Sequence, residues 1–546
     1  MGTENVISAQ YNQPKKEEGK LIDDVIAGVK VQYANEEEKE KLTKILEKLK
    51  EIPTGQETLK NLAEYGTTVA LESINGFGVQ YPSQNRIVLN IKTKNEKLCS
   101  TLVHEARHAT QTFREKNGKI SEFGCDFQSK IKWDRAKEAD AQVFAYQAAC
   151  EWAAAGDPKP LEEFRKYYPV TDEYYRQQKS EKHFEDGTDE ARSVLFRAFF
   201  EETNRLISYE NLYLNKKAFK DLADCICHKP VSGMTGRGAF SLTNEQIASV
   251  TCGEYMADYD AFLNSDKAIS VAAGTKDILT ISSAVKGWLV TVDKLPVSST
   301  RITQRWIDEI EKSPIGGIHK VAAEKIMSAT GLKDPADVEA LYYDSVEKQA
   351  ETVQSFSPEM RETFKRGKIA SKFIRYFCNG RDISEAEKVL QTTSDEEKRA
   401  AAQKIIDEKT AENADLRDYV TVAAFIEKNR RSNPELIARA LASPELSESV
   451  KKELRFDNEA LCKPSEKEAA PLTKKEQALL IAMRKGSSRP LQEDGMTQER
   501  TVDLMIESMS PSSGKGKDRS GKGRPHSGKG KGLPGKPWIF NGPHGR

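Results

Sequence analysis

His104-Glu105-Ala106-Arg107-His108 puts two imidazoles one helical turn apart with a carboxylate beside them. On a helix, residues four apart stand one above the other, and zinc takes neutral imidazole nitrogens at about 2.0 to 2.1 Å, so His104 and His108 can share one ion. The motif is that of a zinc hydrolase site. Bound zinc lowers the pKa of its water from 15.7 to about 7, which makes a hydroxide nucleophile available at neutral pH. Glu105 is then the general base: it takes the water's proton during attack on a peptide carbonyl and returns it to the leaving amine. The chain has only seven histidines, so two of them falling at this spacing around a Glu by chance is a handicapped reading.

A catalytic zinc usually keeps three protein ligands and one open position. Glu138 is the candidate third ligand, in Lys137-Glu-Ala-Asp-Ala-Gln-Val-Phe-Ala-Tyr-Gln-Ala-Ala-Cys150, where Ala141, Ala145, Ala148 and Ala149 lie near the same side of a helical pattern. Those small residues allow close approach to the first helix. Asp140, about 200° around an ideal helix from Glu138, is assigned a supporting role as orienter of a histidine or structural anchor. Gln111 shares the stripe of His104 and His108 and joins Asp140 in that supporting shell. A second electrophile for the oxyanion is usual, but spacing does not separate Tyr146, Tyr167, Tyr168, Tyr174, Tyr175 and His183.

These residues need elements to hold them. From Asn95 to Phe113, the residues Leu98, Leu102, Ala106, Ala109 and Phe113 recur at helical spacing, which predicts an amphipathic helix with this stripe in a core and the imidazoles facing a cleft. Asn117-Gly118 signals its end. Upstream, residues 78–85 and 86–91 read as a hairpin, with Ile87, Leu89 and Ile91 alternating and Pro82-Ser83-Gln84-Asn85 as the turn. The strand just before the helix would offer a free edge to an extended peptide.

His104-Glu-Ala-Arg-His108, followed by Glu138-Ala-Asp-Ala141 and preceded by Arg86-Ile-Val-Leu-Asn90, resembles the uncharacterised bacterial metallopeptidase domains of the gluzincin (HExxH...E) type. The resemblance covers residues 30 to 265 at most, and only the two helices carry specific motifs. It implies a zincin-like zinc peptidase domain with a short sheet and active-site helices, but not a substrate; the protein or peptide substrate is expected from the peptide-hydrolysing chemistry above. The chain departs from the better-known gluzincins at Gln142, where an acidic residue often follows the third ligand by four positions.

The whole chain fits an α+β protein of several parts. Residues 1–29 read as a flexible N-terminal segment, 30–265 as the zinc metallopeptidase domain, 270–483 as a helical domain and 484–546 as a disordered basic tail. Helical spacing between charged faces recurs over Arg305 to Glu311, Asp337 to Val353, Met360 to Phe377 and Asp395 to Leu416. From Pro511 onward nine basic residues face the single acid Asp518, although the full chain balances at 84 of each sign. Such a tail attracts nucleic acid or acidic surfaces. No run is apolar enough to span a bilayer and no signal peptide is evident, so a cytoplasmic location, or export without a cleaved signal, is expected.

Eight sparse cysteines suggest reduced thiols. Cys225-Ile-Cys227-His228 with Cys252 lacks the Cys-x-x-Cys spacing of a structural zinc site, so buried free cysteines are expected. Gly233, Gly236 and Gly238 lack the Gly-Lys-Ser/Thr ending of a phosphate loop. The sequence therefore predicts a zinc-dependent endopeptidase whose helical region limits or recruits substrates. Its rival is a noncatalytic helical interaction or effector protein carrying a metallopeptidase-like scaffold.

Overall fold

The computed structural model describes residues 21–458 other than 124, 230–239, 287–291, 293–294, 299–301, 430–440 and 442–445. The glycines at 233, 236 and 238 and the basic tail lie outside the described residues.

Two short strands open the fold. β1 (Ile22–Ile26) and β2 (Val29–Tyr33) pair antiparallel across Ala27 and Gly28, whose positive φ angles of 53° and 81° suit a two-residue hairpin. β1 falls within the segment expected to be flexible. Two helices follow. In α1 (Glu36–Leu49) the Asn35 side chain accepts from the Glu38 N–H at 3.0 Å, and three glutamates occupy the positive first turn. α2 (Pro53–Tyr65) starts on proline and stops at Gly66, whose φ of 64° only glycine adopts at little cost.

β3 (Thr68–Glu72), β4 (Gly78–Tyr81) and β5 (Arg86–Asn90) complete a five-stranded sheet of order β1-β2-β3-β5-β4. β2, β3 and β5 run parallel, and the two outer strands run antiparallel to their neighbours. The expected hairpin is present, with Gly78 opposite Leu89 and Tyr81 opposite Arg86. Its outcome differs in one respect: β5 is an interior strand, and the free edge belongs to β4. Ile87 and Leu89 enter the main core, while Val88 packs with Ala70 and Val79 on the other face. Burial on both faces replaces a simple in–out alternation.

α3 (Asn95–Gly118) carries the His-Glu-x-x-His motif and packs against α1, α2, β4, β5 and then α4 (Phe127–Ala154). The amphipathic expectation for α3 is corrected here. From Lys97 to Thr112 it is buried around its whole circumference except at His104, which meets the cleft, with Gln111 fully buried and His108 5% exposed, whereas Phe113, assigned to the core stripe, is 36% exposed and stacks on Tyr65. The cause is tertiary: sheet, α2 and α4 cover faces that the sequence pattern leaves polar. Beyond α4 come α5 (Lys159–Tyr167), α6 (Pro169–Lys182), α7 (Asp189–Phe199), α8 (Thr203–Glu210), a π-helical turn (Asn211–Asn215) and α9 (Lys216–Ile226).

The first core runs from Ile26 to Ile269, and a second unites α9 and the start of α4 with the long helices Pro358–Thr392 and Glu396–Asn429. The architecture is α+β, a small sheet followed by helices. The stretch Asp337 to Val353 is two helices, broken where Ser345 caps the second by accepting from Lys348 N–H. Among the described residues, no helix is long and apolar enough to cross a membrane.

Candidate metal centre

α3 and α4 bring His104, His108 and Glu138 to one point. The two Nε2 atoms are 3.1 Å apart, His104 Nε2 is 3.5 Å from Glu138 Oε2, and His108 Nε2 is 3.7 Å from Glu138 Oε1. Ligand atoms about 2.0–2.2 Å from a tetrahedral ion stand about 3.3–3.6 Å from one another. The observed separations, which run to the two oxygens of Glu138, are of that order, so this donor set fits a small divalent metal ion.

The ring of His108 is held in one tautomer by its neighbours. Gln111 directs its Nε2 to the Lys137 carbonyl at 3.0 Å and to Asp140 Oδ2 at 2.7 Å, which turns its Oε1 toward His108 Nδ1 at 2.8 Å. His108 Nδ1 therefore donates, and Nε2 presents a lone pair to the shared point. Asp140 is the anchor of a wider network: it accepts from Arg107 Nε at 2.7 Å and Nη2 at 3.0 Å, and from Tyr255 Oη at 3.0 Å. Arg107 also bonds Glu254. The two supporting residues thus act in series, Asp140 on Gln111 and Gln111 on His108.

Burial pushes His108 down to about 4 despite the attraction of Glu138, so its imidazole is neutral near pH 7. Burial would raise Glu138, but His108, His104 and Tyr209 more than offset it and hold the carboxyl down to about 2. A neutral imidazole and a carboxylate are the protonation states that metal ligation requires. Tyr213 Oη donates to Glu138 Oε1 at 2.8 Å, and Tyr209 bonds the same carboxylate. Their rings stack at 5.8 Å and 6°, one at the end of α8 and the other in the π-helical turn.

Glu105 lies beside this point and against the sheet. A Cβ on Gly78 would come within 2.7 Å of Thr101 Cγ2 and 3.0 Å of Glu105 Cγ, so only glycine leaves β4 this close to α3. Burial pushes the Glu105 carboxyl up to about 7, opposed by His104 and by a hydrogen bond from the Gln80 backbone. Its Oε2 is buried without a hydrogen-bond partner. By strand alternation the main-chain groups of Gly78 point the same way as those of Gln80, off the free edge of β4.

Gly78, His104, Glu105, Glu138 and Tyr209 line a cleft of about 600 Å³. Gln142, where the gluzincin pattern often has an acid, faces it with a buried Nε2 that has no partner. Of the aromatic candidates, Tyr167 and Tyr168 line the cleft. Tyr146 and Tyr175 donate to Asp172 and Asp186 at 2.7 and 2.6 Å, Tyr174 packs against the core, and His183 ends α6 with φ 57°.

Residues 20–220 match the Putative metallopeptidase family (DUF6782). No curated protein and no solved structure matches the chain. That family's description implies a metal and a protein or peptide substrate, and its match takes in α3, α4 and both tyrosines on Glu138. Glu254, Tyr255 and the cleft-lining Arg305 lie beyond it.

Sequence reasoning did not find Tyr209, Tyr213, Lys97 or Arg205, all at or beside the cleft. No local spacing marks the tyrosines or Arg205, which tertiary contact brings in; Lys97 had a signal, standing two turns before His104 on the same helix. The Cys225, Cys227, His228 and Cys252 set does not gather. Among the described residues the groups with metal-binding geometry are His104, His108, Glu138 and, separately, His228, Glu362, Glu427. Lys365 pairs with Glu427 at 2.7 Å and Arg366 with Glu362 at 3.4 Å, so the second group is already neutralised by cations. The seven described cysteines are free and at least partly buried.

Proposed function

We propose that this chain is a zinc-dependent metallopeptidase that cleaves peptide bonds with Glu105 as general base. The observation that carries the reading is a buried carboxylate oxygen without a partner, Glu105 Oε2, beside three ligand-type side chains at metal-ligand spacing. His104, His108 and Glu138 would hold the ion. When bound, zinc supplies Lewis acidity, acidifying a water and polarising a carbonyl.

The rest of the chemistry belongs to the chain. Glu105 takes the proton of the attacking water and passes it to the leaving amine, a role served by a carboxylate oxygen that has no other partner. The β4 edge pairs with an extended substrate through its outward main-chain groups at Gly78. Tyr209 and Tyr213 fix the Glu138 carboxylate, and the Asp140–Gln111 chain fixes the His108 ring.

The test combines metal analysis with substitution. Wild type should carry stoichiometric zinc; His104→Ala and Glu138→Ala should lose it; Glu105→Gln should keep zinc yet lose peptide cleavage by several orders of magnitude. A protein without zinc whose stability His104→Ala leaves unchanged would end the enzyme reading and favour a noncatalytic scaffold. Undiminished cleavage by Glu105→Gln would remove the base from its role.

A further inference from the structure

One wall of the cleft carries positive charge that the fold does not neutralise at close range. Lys97 precedes His104 by seven residues, so it shares the same stripe of α3 about 10 Å along the axis. It is 5% exposed, and its ammonium is ringed by Tyr167, Phe77, Tyr168 and Phe164, with centroids at 4.7, 4.9, 5.1 and 5.9 Å. Arg205 stacks on Tyr168 with Cζ 4.1 Å from the ring centroid. It donates through Nη2 to the Tyr167 carbonyl at 3.0 Å and also bonds Tyr209, while its Nε is buried without a partner.

The carboxylates that influence these cations are engaged elsewhere. Glu163 pairs with Lys166 at 2.5 Å, and Glu202 accepts from the Thr171 N–H and hydroxyl at 2.9 and 3.2 Å. Aromatic faces attract a cation but give no counter-charge. A buried Lys97 and a half-buried Arg205 near each other, neither ion-paired and with only the charge of Glu202 acting on Arg205, are unfavourable. Burial, and then Arg205, hold the Lys97 amine down to about 7. Both side chains line the cleft, as does Arg305.

We propose that Lys97 and Arg205 form an anion subsite that receives a substrate carboxylate, either an acidic side chain or a free C-terminus. At about 3.3 Å per extended residue, the separation along α3 places that carboxylate about three residues from the bond held at the metal centre. Arg205 supplies a planar fork with an unused Nε–H, and Lys97 a point charge behind the aromatic ring set. Calling the ligand a substrate rests on the peptidase reading; the subsite itself does not.

The test uses the full chain carrying Glu105→Gln and three fluorescein-labelled peptides of one length. The first has a single Glu and an amidated end, the second Gln and an amidated end, the third Gln and a free carboxylate. Fluorescence anisotropy should show the first or third binding at least about tenfold tighter than the second. Lys97→Met and Arg205→Gln should each erase that advantage, and Arg205→Lys should retain part of it, with melting curves establishing that each variant folds. Equal binding of all three peptides, including no binding up to about 1 mM, overturns the subsite, as does a preference that survives both substitutions. Which carboxylate wins separates an acidic side chain from a chain end. Preferential binding with no cleavage of these peptides or of casein by the zinc-loaded wild type keeps the subsite and removes the peptidase reading. Cleavage with indifferent binding does the reverse.

Discussion

Replacing Asp140 by alanine removes the acceptor on which Arg107 Nε and Nη2, Gln111 Nε2 and Tyr255 Oη converge at 2.7 to 3.0 Å. Asp140 is fully buried and Arg107 is 5% exposed. Breaking a buried ion pair by deleting one partner costs about 3–5 kcal/mol, because the other charge stays buried. Glu254 remains on Arg107, which moderates the loss, while the orphaned Tyr255 hydroxyl adds to it. We expect about 3–4 kcal/mol. For a cooperative unit of 150–250 residues this is a fall in Tm of about 6–16 °C. Calorimetry on Asp140→Ala, with Asp140→Asn as the isosteric control, measures it. The same variants should lose zinc affinity by about 10–100-fold, since Gln111 no longer has its anchor and His108 is free to turn. A Tm within about 2 °C of wild type refutes the buried-pair argument. A large drop in Tm with unchanged zinc affinity refutes the claim that Asp140 acts on His108 through Gln111.

Tyr213→Phe deletes one hydrogen bond to Glu138 and should weaken zinc retention in a chelator competition by about tenfold, with little change in fold. Gly78→Ala forces β4 from α3, and chemical denaturation should show a loss of about 1–3 kcal/mol accompanied by reduced cleavage. Lys97 gives a pH signature. Its amine lies near 7 in the fold against 10.5 ordinarily, so in that window the unfolded chain holds the extra proton and stability rises with pH. Lys97→Met should gain Tm relative to wild type near pH 7, a gain that shrinks toward pH 10; a pH-independent difference would contradict the depressed amine.

The residues of the candidate centre were legible because their signal is local. His104, Glu105 and His108 lie on one helix, and Glu138 stands in a second helical pattern rich in alanine. What escaped was tertiary. α3 reads as amphipathic, yet the sheet and α4 cover both sides of it, and Phe113 is left partly exposed. β1 to β3 are short runs whose pairing is settled across the chain, and β5 reads as an edge in the sequence because its neighbour β3 comes from before the hairpin. Lys97 sits in the predicted helix, but the rings that surround it come from Phe77 and from α5 and its end. Tyr209 and Tyr213 depend on a π-helical turn that no propensity announces.

The clamp beneath the His108 ring closes with Glu254 and Tyr255, and the helix Gln304–Glu311 lends Arg305 to the cleft. All three come from chain beyond residue 220, so a fragment trimmed to the family-matched stretch would expose Arg107 and Asp140 to water on one flank. The minimal working unit is therefore drawn by charge closure, and it is longer than the stretch that carries the motif.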